Sequence, residues 1–434
     1  DRIGNAVGEG EADAQADRAL ADAVQLGYVP LVAEAHGQAG YMADQLNDYP
    51  RMRDHMFESL WGAQASGDVA LSAHAAIGAA RALGELGDLE QARTWARFAR
   101  AAATQAGHDD AFEVDLESLL SGIETASGDQ PAALEHAQRA LAIAGNSGSS
   151  DPDLVIAVAG ALRRVGRYDE ALATLERVRA EIVRLRGDQH PSVAVVANGR
   201  GIALERLGRY EEALAEYRSG AALLERAKGA NDLELSAVLL NIGNAEQALG
   251  RPRDAQVSYR RALAIKLAKR GPDARDVSLA RSNLANALAE TGQLAEALTE
   301  QQRVLEARRR TLGPAHEDVA ESLSNVGETL RRLGRFSESL THHREALAIE
   351  DKLQPDHPNN AYDLMGIGEM LLHLGRAGEA IAPLQHALEL RERANVEPKL
   401  VAETQYLLGR ALWTAGRERD RARTLVASAR QLLA

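Results

Sequence analysis

The 434-residue chain carries 50 Lys and Arg against 63 Asp and Glu, a formal net charge of −13, and it contains no Cys. The lack of Cys excludes disulfides, thiolate nucleophiles and Cys-ligated zinc or iron–sulfur clusters. Aromatic residues make up only 4% while Ala, Leu, Arg and Glu dominate, which predicts helices throughout, and no apolar run is long enough to span a bilayer.

The acidic charge is concentrated in the N-terminal third. Residues 1–150 carry 23 Asp and Glu against 9 Arg, and the rest of the chain is nearly neutral. Because nucleic acids and anionic lipids are attracted by Lys and Arg, we predict that neither nucleic acid nor a membrane is a partner. The Arg cluster at residues 308–310 is predicted to lie at a helix end, where cations complement the exposed carbonyls.

Residues 1–27, at the start of the chain, are predicted to form an N-terminal tail or capping helix. The glycines Gly4, Gly8 and Gly10 favour a flexible tail. A short sequence motif then recurs along the chain. It reads VGRYDEA at residues 165–171, LGRYEEA at 207–213, TGQLAEA at 291–297 and LGRFSES at 333–339. Each copy combines a helix stop with a helix start.

Each copy of this motif contains a Gly, or Asn in the first copy, and we call this residue the anchor of its repeat. The ten anchors, spaced by 38 to 42 residues, are Asn47, Gly87, Gly128, Gly166, Gly208, Gly250, Gly292, Gly334, Gly375 and Gly416. Gly and Asn accept positive φ, so each anchor predicts the turn of a helical hairpin. We predict degenerate, acidic repeats over residues 28–185 and regular 42-residue repeats over 186–434, the last of them an atypical capping repeat.

Small residues stand at two fixed distances from each anchor. Seven residues before the anchors the chain has Gly40, Ala80, Ser121, Ala159, Gly201, Gly243, Ala285, Gly327, Gly368 and Gly409, and five residues after them it mostly has Ala. Large side chains at these positions would hold two packed helices apart. The two small positions are therefore predicted to face each other within each hairpin.

This pattern resembles the tetratricopeptide repeat, whose usual period is 34 residues. The longer period adds about one turn to each helix. With linkers such as GDQHPSVA at residues 187–194, GPAHEDVA at 313–320 and PDHPNNA at 355–361, the repeats resemble those of kinesin light chains. Their Arg- and Ala-rich character is similar to the C-terminal regions of bacterial, myxobacterial-type serine/threonine kinases. The resemblance implies an all-α, right-handed superhelical solenoid of about ten antiparallel hairpins.

The candidate site residues recur on the first helix of each hairpin, where the resembled family lines its concave groove. They are Asn241, Asn283 and Asn325, nine residues before their anchors, and Asn244, Asn286, Glu328 and Glu369, six residues before theirs. Because Asn both donates and accepts, such a ladder can hold the backbone of an extended peptide. Alternatively, these Asn bond one another to satisfy a buried polar strip.

The remaining polar residues indicate no enzyme. The linker histidines His190, His316 and His357 precede helices, and the resemblance implies a packing role for them. His342 and His343 are adjacent and cannot both face one ion. We therefore predict no metal and no cofactor. Arg200 stands where the repeat is usually apolar and needs a partner or access to water. Neither a nucleophile elbow nor a phosphate loop occurs.

The resemblance implies a non-catalytic, cytoplasmic interaction scaffold that binds a protein or peptide in its concave groove. Such a scaffold would be the regulatory or targeting part of a larger signalling protein. We also expect the chain to be a fragment, since it starts at Asp1 without Met. The alternative is a superhelix that senses a ligand or peptide and controls an attached transcription factor or ATPase. The sequence does not set the oligomeric state.

Overall fold

The chain is all α-helical over the residues that the computed structural model describes, which are 2–107, 109–146 and 151–433. It divides into two units, residues 1–209 and 210–434. The first unit contains α1 (Arg2–Leu26), α2 (Val29–Gln45), α3 (Tyr49–Ser66), α4 (Val69–Glu85), α5 (Leu89–Ala106), α6 (Asp110–Ser127), α7 (Gln130–Asn146), α8 (Pro152–Arg164), α9 (Tyr168–Arg186) and α10 (Pro191–Arg206). The second contains α11 (Tyr210–Lys228), α12 (Leu233–Ala248), α13 (Pro252–Arg270), α14 (Arg275–Glu290), α15 (Leu294–Leu312), α16 (Glu317–Arg332), α17 (Phe336–Leu353), α18 (Asn360–His373), α19 (Ala377–Arg393), α20 (Pro398–Thr414) and α21 (Arg419–Leu432).

Packing within each unit is local along the chain. Each helix contacts the helices next to it in sequence, and several even-numbered helices also contact, more weakly, the next even-numbered one. A stack in which neighbouring elements make the main contacts is a solenoid. The all-α solenoid predicted from the sequence is therefore confirmed, while the handedness of a superhelix stays a prediction.

The hairpin turns lie at the predicted anchors. All ten anchors have positive φ, from 57° at Asn47 to 88° at Gly128. At Gly334 the following amide, the backbone N–H of Arg335, donates to the carbonyl of Leu330 at 2.9 Å. This bond satisfies one of the carbonyls that a helix end leaves without an intrahelical partner. The prediction of a turn at each anchor is confirmed.

The Arg and the acid that follow several anchors pair with each other at the start of the second helix. Arg335 Nε and Nη2 donate to the two carboxylate oxygens of Glu338 at 2.7 and 2.6 Å, and this hydrogen-bonded pairing lowers the pKa of Glu338. The pairs Arg167–Glu170 and Arg376–Glu379 repeat the arrangement. Each acid lies in the first helical turn, where the helix dipole favours negative charge.

Helix lengths are regular in the 42-residue repeats. The first helices α10, α12, α14 and α16 each have 16 residues. The second helices α11, α13 and α15 each have 19. The extra residues of the long period therefore extend the helices, as the sequence predicts, rather than the loops.

The two small positions meet inside the hairpin, but a large side chain also contacts the first one. Ser339 Oγ donates to the carbonyl of Gly327 at 2.7 Å, so these two positions touch. A Cβ atom built on Gly243 would lie 2.4 Å from Cε1 of Tyr259, and one on Gly368 would lie 2.3 Å from Cγ of Leu384. The small residue thus makes room for the side chain nine residues after the anchor, which the sequence reasoning did not predict.

The linker histidines accept backbone hydrogen bonds, and two of them cap helices, a role that the resemblance did not imply. The Nδ1 atoms of His190, His316 and His357 accept backbone N–H groups two residues ahead, at 3.2, 3.1 and 3.3 Å. His190 and His316 are therefore N-caps that satisfy an amide in the first turn of α10 and α16. His357 instead accepts the amide of Asn359, in the linker before α18.

The singled-out arginines have acidic partners. Arg309 and Arg310 lie in the last turn of α15, as predicted, and pair with Glu345 of α17 and with Asp273 in the linker before α14. Arg200 pairs with Glu176 of α9. Its side chain has the partner that an Arg in an apolar position needs.

Candidate functional site

The predicted site residues lie on the first helices of four consecutive hairpins in the second unit. These helices are α12, α14, α16 and α18. We call this set the first-helix surface; its residues, all half-buried or exposed, are Asn241, Asn244, Asn283, Asn286, Asn325, Glu328 and Glu369. Whether this surface binds a partner stays a prediction, but the contacts of its side chains divide it into three parts.

In the first part, Asn side chains bond across consecutive hairpins. Asn283 Nδ2 donates to Oδ1 of Asn244 at 3.2 Å. The hydroxyl of the buried Tyr259 lies 2.8 Å from the same Oδ1 and 3.1 Å from Oε1 of Gln247. The Oδ1 atom of Asn244 is thus already engaged, which agrees with the alternative of a mutually satisfied polar strip for this pair.

The second part is a small notch between α14, α15 and α16. The exposed amides of Asn286 and Asn325 line it, and its other lining residues are Ser282, Gln301, Val304 and Ser322. Its volume is about 10 Å³, about the space that one water-sized group needs. Oε1 of Gln301, a residue only 8% exposed, has no donor among the described residues. This amide notch therefore offers an unused buried acceptor beside two exposed amides.

The third part is a closed charge cluster. Arg331 donates to both carboxylate oxygens of Glu328 at 2.8 and 2.7 Å and to Oε1 of Glu369 at 3.3 Å. The hydrogen bonds from Arg331 to Glu328 raise the pKa of Arg331. Desolvation, followed by the charge of Glu328, raises the pKa of the neighbouring Tyr362 to about 12. The two predicted acids thus share one guanidinium, which pairs mainly with Glu328.

A Ser, a His and an Asp meet beneath this surface, but their hydrogen bonds are not those of a catalytic triad. Ser324 Oγ lies 2.8 Å from Oδ2 of Asp363, and Nδ1 of His343 lies 2.5 Å from Oδ1 of the same carboxylate. The His343 ring is 1% exposed, and Cβ atoms built on Gly327 and Gly366 would crowd it. In a Ser-His-Asp triad the His contacts the Ser. Here both bond the Asp, out of reach of a substrate.

The described part of the chain lacks two other kinds of feature. No three His, Asp or Glu side chains gather there in a way that could hold a metal ion. No helix of that part is long and apolar enough to cross a membrane.

Sequence reasoning missed Gln301 and Arg331. Gln301 stands nine residues after the anchor Gly292, the same repeat position as Tyr259 and His343. A comparison of that position across repeats would have shown polar side chains where a buried residue is expected. Arg331 follows Glu328 by three residues, a spacing that brings side chains together on a helix.

Comparison with known proteins identifies the repeat. The tetratricopeptide repeat family matches residues 154–226, 199–268 and 276–352, and also residues 73–97. No curated protein matches the chain in sequence.

Solved structures resemble the chain at low sequence identity. The apo form of the quorum sensor NprR from B. thuringiensis has a TM-score of 0.55 at 13% identity, covering 82% of this chain and 98% of that chain. A signal transduction ATPase with a tetratricopeptide repeat sensor, from Pyrococcus horikoshii, has a TM-score of 0.59 at 11% identity, covering 88% and 52%. Kinesin-light-chain-type repeats from Podosopora anserina have a TM-score of 0.43 at 19% identity, covering 47% and 98%. At these identities the likeness of the first two concerns the fold, and together with the matched repeats it shows that the chain carries tetratricopeptide repeats in an all-α solenoid.

Proposed function

We propose that the second unit is a non-catalytic binding module that holds a protein segment on its first-helix surface. The observation that carries this proposal is the amide notch. Oε1 of Gln301 lies buried, with no donor in the part of the chain that the structure describes, beside the exposed amides of Asn286 and Asn325. A buried unsatisfied acceptor costs about 1–3 kcal/mol. A backbone N–H of a bound peptide would satisfy it.

The three parts of the surface suggest where the peptide lies. Asn244 and Asn283 already form a hydrogen bond with each other, and Arg331 already donates hydrogen bonds to Glu328 and Glu369. The notch between these parts has the unused hydrogen-bonding groups. Amides bond the peptide backbone without selecting side chains, so we expect modest sequence preference at this point.

A peptide selection tests this proposal. Random peptides displayed on phage are selected against the parent protein after depletion against a variant with Gln301→Leu, Asn286→Ala and Asn325→Ala. Isothermal titration then compares the selected peptides on both proteins. Loss of two or three hydrogen bonds at about 0.5–1.5 kcal/mol each predicts binding to the variant that is weaker by about fivefold or more.

The matched control is Gln302→Ala, which changes the neighbouring exposed amide of α15 outside the notch. Its affinity should stay within about twofold of the parent, since it removes no group that lines the notch. If no peptide is enriched, or if the enriched peptides bind the triple variant as tightly as the parent, the proposed site is wrong.

A second candidate function is sensing. The similar structures include a quorum sensor and an ATPase with a tetratricopeptide repeat sensor. In that case the bound peptide would control an attached transcription factor or ATPase, whereas a scaffold would target or regulate a larger cytoplasmic signalling protein such as a bacterial kinase. Hydrogen exchange separates the two. Sensing predicts changed protection in hairpins away from the notch when peptide binds, and scaffolding predicts changes only around it.

A further inference from the structure

A large open cavity lies in the first unit, apart from the surface proposed above. Its volume is about 1030 Å³, and it is lined by α1 to α4 together with Asp115 of α6. This is the size of a pocket that can bury most of a small ligand or several side chains of a peptide. Nothing in the regular repeat pattern predicts it, because it forms in the degenerate N-terminal hairpins.

The floor of the cavity is apolar and deformable. Met52 and Met56 are buried there, 2% and 8% exposed. Met56 fits between Gly40 and Gly78, where built Cβ atoms would lie 2.8 Å from its Cε and 2.5 Å from its Sδ. Unbranched Met side chains adapt to irregular apolar groups. The floor is therefore suited to an inserted aliphatic or aromatic side chain.

One polar group on this floor has no partner. Ser59 is 0% exposed and lines the cavity, and its Oγ has no hydrogen-bond partner among the described residues. Beside it, a Cβ atom built on Gly37 would lie 3.3 Å from that Oγ. Because buried hydroxyls are normally hydrogen-bonded, this one marks where a polar group of a bound molecule would reach.

The rim of the cavity is acidic. Four carboxylates line it, Asp22, Glu34, Asp44 and Asp115, against the single guanidinium of Arg81. Within the described part of the chain only Asp44 has a cation in ion-pair range, Arg81 Nη1 at 3.8 Å. The other three carboxylates are exposed. Their field repels anions and attracts cations.

Apolar side chains also remain uncovered at the mouth. Leu26, Leu31 and Tyr41 line the cavity and are 72%, 39% and 55% exposed. Exposed apolar groups beside a cavity are a common sign of a binding site. A ligand that covers them must have apolar groups as well as positive charge.

We propose that this cavity binds a cationic amphipathic peptide segment. An apolar side chain of the segment occupies the Met52 and Met56 floor, with a polar group in reach of Ser59, and flanking Lys or Arg side chains contact Asp22, Glu34 and Asp115. This site is independent of the first-helix surface, so either proposal can fail alone.

The test uses the full chain and three labelled 18-residue peptides in fluorescence anisotropy. One peptide combines Lys and Leu in an amphipathic helical pattern, the second replaces Lys by Glu, and the third replaces Leu by Ser. Only the Lys/Leu peptide should bind, and its affinity should fall as NaCl rises from 50 to 300 mM. Equal binding of the Lys/Ser peptide would overturn the apolar part of the proposal, and binding of the Glu/Leu peptide would overturn the acidic part.

Two variants test whether the peptide binds in the cavity. Asp22→Asn, Glu34→Gln and Asp115→Asn together remove the free rim charges and should weaken the Lys/Leu peptide about tenfold. The control removes three exposed charges of the same unit elsewhere, through Glu58→Gln, Glu90→Gln and Glu135→Gln, and should change the affinity by less than threefold. Equal losses in both variants would mean non-specific attraction and would overturn the proposal.

Ser59→Ala separates binding from folding. The variant loses a buried hydroxyl that has no partner, so the free protein should unfold at the same or higher temperature. Peptide binding should nevertheless weaken by about threefold or more. Unchanged affinity would show that the peptide does not reach the Ser59 hydroxyl, and would overturn the proposed binding to this floor. Sedimentation should show the parent binding the peptide as a single chain; a dimer that excludes the peptide would show that a second copy covers the cavity instead.

Discussion

The contact between Gly243 and Tyr259 predicts that Gly243→Ala destabilises the second unit. The new Cβ would lie 2.4 Å from Cε1 and 2.6 Å from Cδ1 of a ring that is 1% exposed. Since carbon atoms pack at about 3.5–4.0 Å, the ring must move by about 1 Å or the two helices must separate. Such overpacking typically costs about 1–3 kcal/mol.

Two further contributions act in opposite directions. Replacing Gly by Ala within a helix favours folding by about 0.5–1 kcal/mol. A displaced ring would weaken the hydrogen bonds of the Tyr259 hydroxyl to Asn244 and Gln247, each contributing about 0.5–1.5 kcal/mol. The free energy of unfolding should therefore fall by about 1–3 kcal/mol. The matched control is Gly122→Ala, where a Cβ would meet nothing within 4 Å, so the same substitution should stabilise the protein.

Urea unfolding followed by circular dichroism measures both changes, and hydrogen exchange locates them. In a stack of neighbouring contacts, protection should be lost first in α12 and α13 and the helices beside them. Adding Tyr259→Leu to Gly243→Ala should cost less than the sum of the two single changes, because the smaller side chain makes room. A Gly243→Ala protein as stable as the parent, or a uniform loss of protection, would refute the reasoning.

Three more predictions concern polar groups. Asn325→Ala should leave the melting temperature unchanged or slightly higher because its side chain is exposed, whereas Asn244→Ala should cost about 1 kcal/mol by thermal unfolding because it accepts two hydrogen bonds. Desolvation and then nearby carboxylates raise the pKa of Glu350 to about 7, so the folded protein holds a proton that the unfolded chain releases near pH 4.5. The stability that this bound proton contributes is present below pH 4.5 and is lost as pH rises through 7. Glu350→Gln should therefore flatten this part of a plot of unfolding free energy against pH. Arg93→Gln should leave the carboxylate of Glu124, 9% exposed and held by Arg93 at 2.8 and 2.6 Å, without its cation, and should lower the free energy of unfolding by about 1–3 kcal/mol in the same denaturation assay.

The sequence predicted the backbone well because its signals are local. Gly and Asn at the turns, and the small residues around them, act through φ or side-chain volume within one hairpin. The candidate site was harder, since its contacts join different hairpins. Asn283 meets Asn244 across 39 residues, and Arg331 meets Glu369 across 38. No spacing rule tells whether such a side chain faces a partner or a neighbouring repeat, so the binding role of the first-helix surface stays a prediction.

The cavity of the first unit was missed for a different reason. Its floor depends on a Met at residue 52, where most repeats have Ala, and on Met56 between two glycines. Read as a repeat pattern, these residues look like loss of the consensus. Only their packing shows that the two Met side chains belong to a buried apolar cluster that also lines the cavity.

The restriction of contacts to neighbouring helices also determines how the protein would respond to force. In the second unit the main contacts among the described residues join helices that are adjacent or next but one in sequence, so load on one end is carried mainly by the nearest hairpins. Hairpins should then detach one after another. Each 42-residue repeat released would lengthen the chain by about 140–150 Å at full extension, so pulling on a single molecule should give a series of equal steps rather than one cooperative rupture.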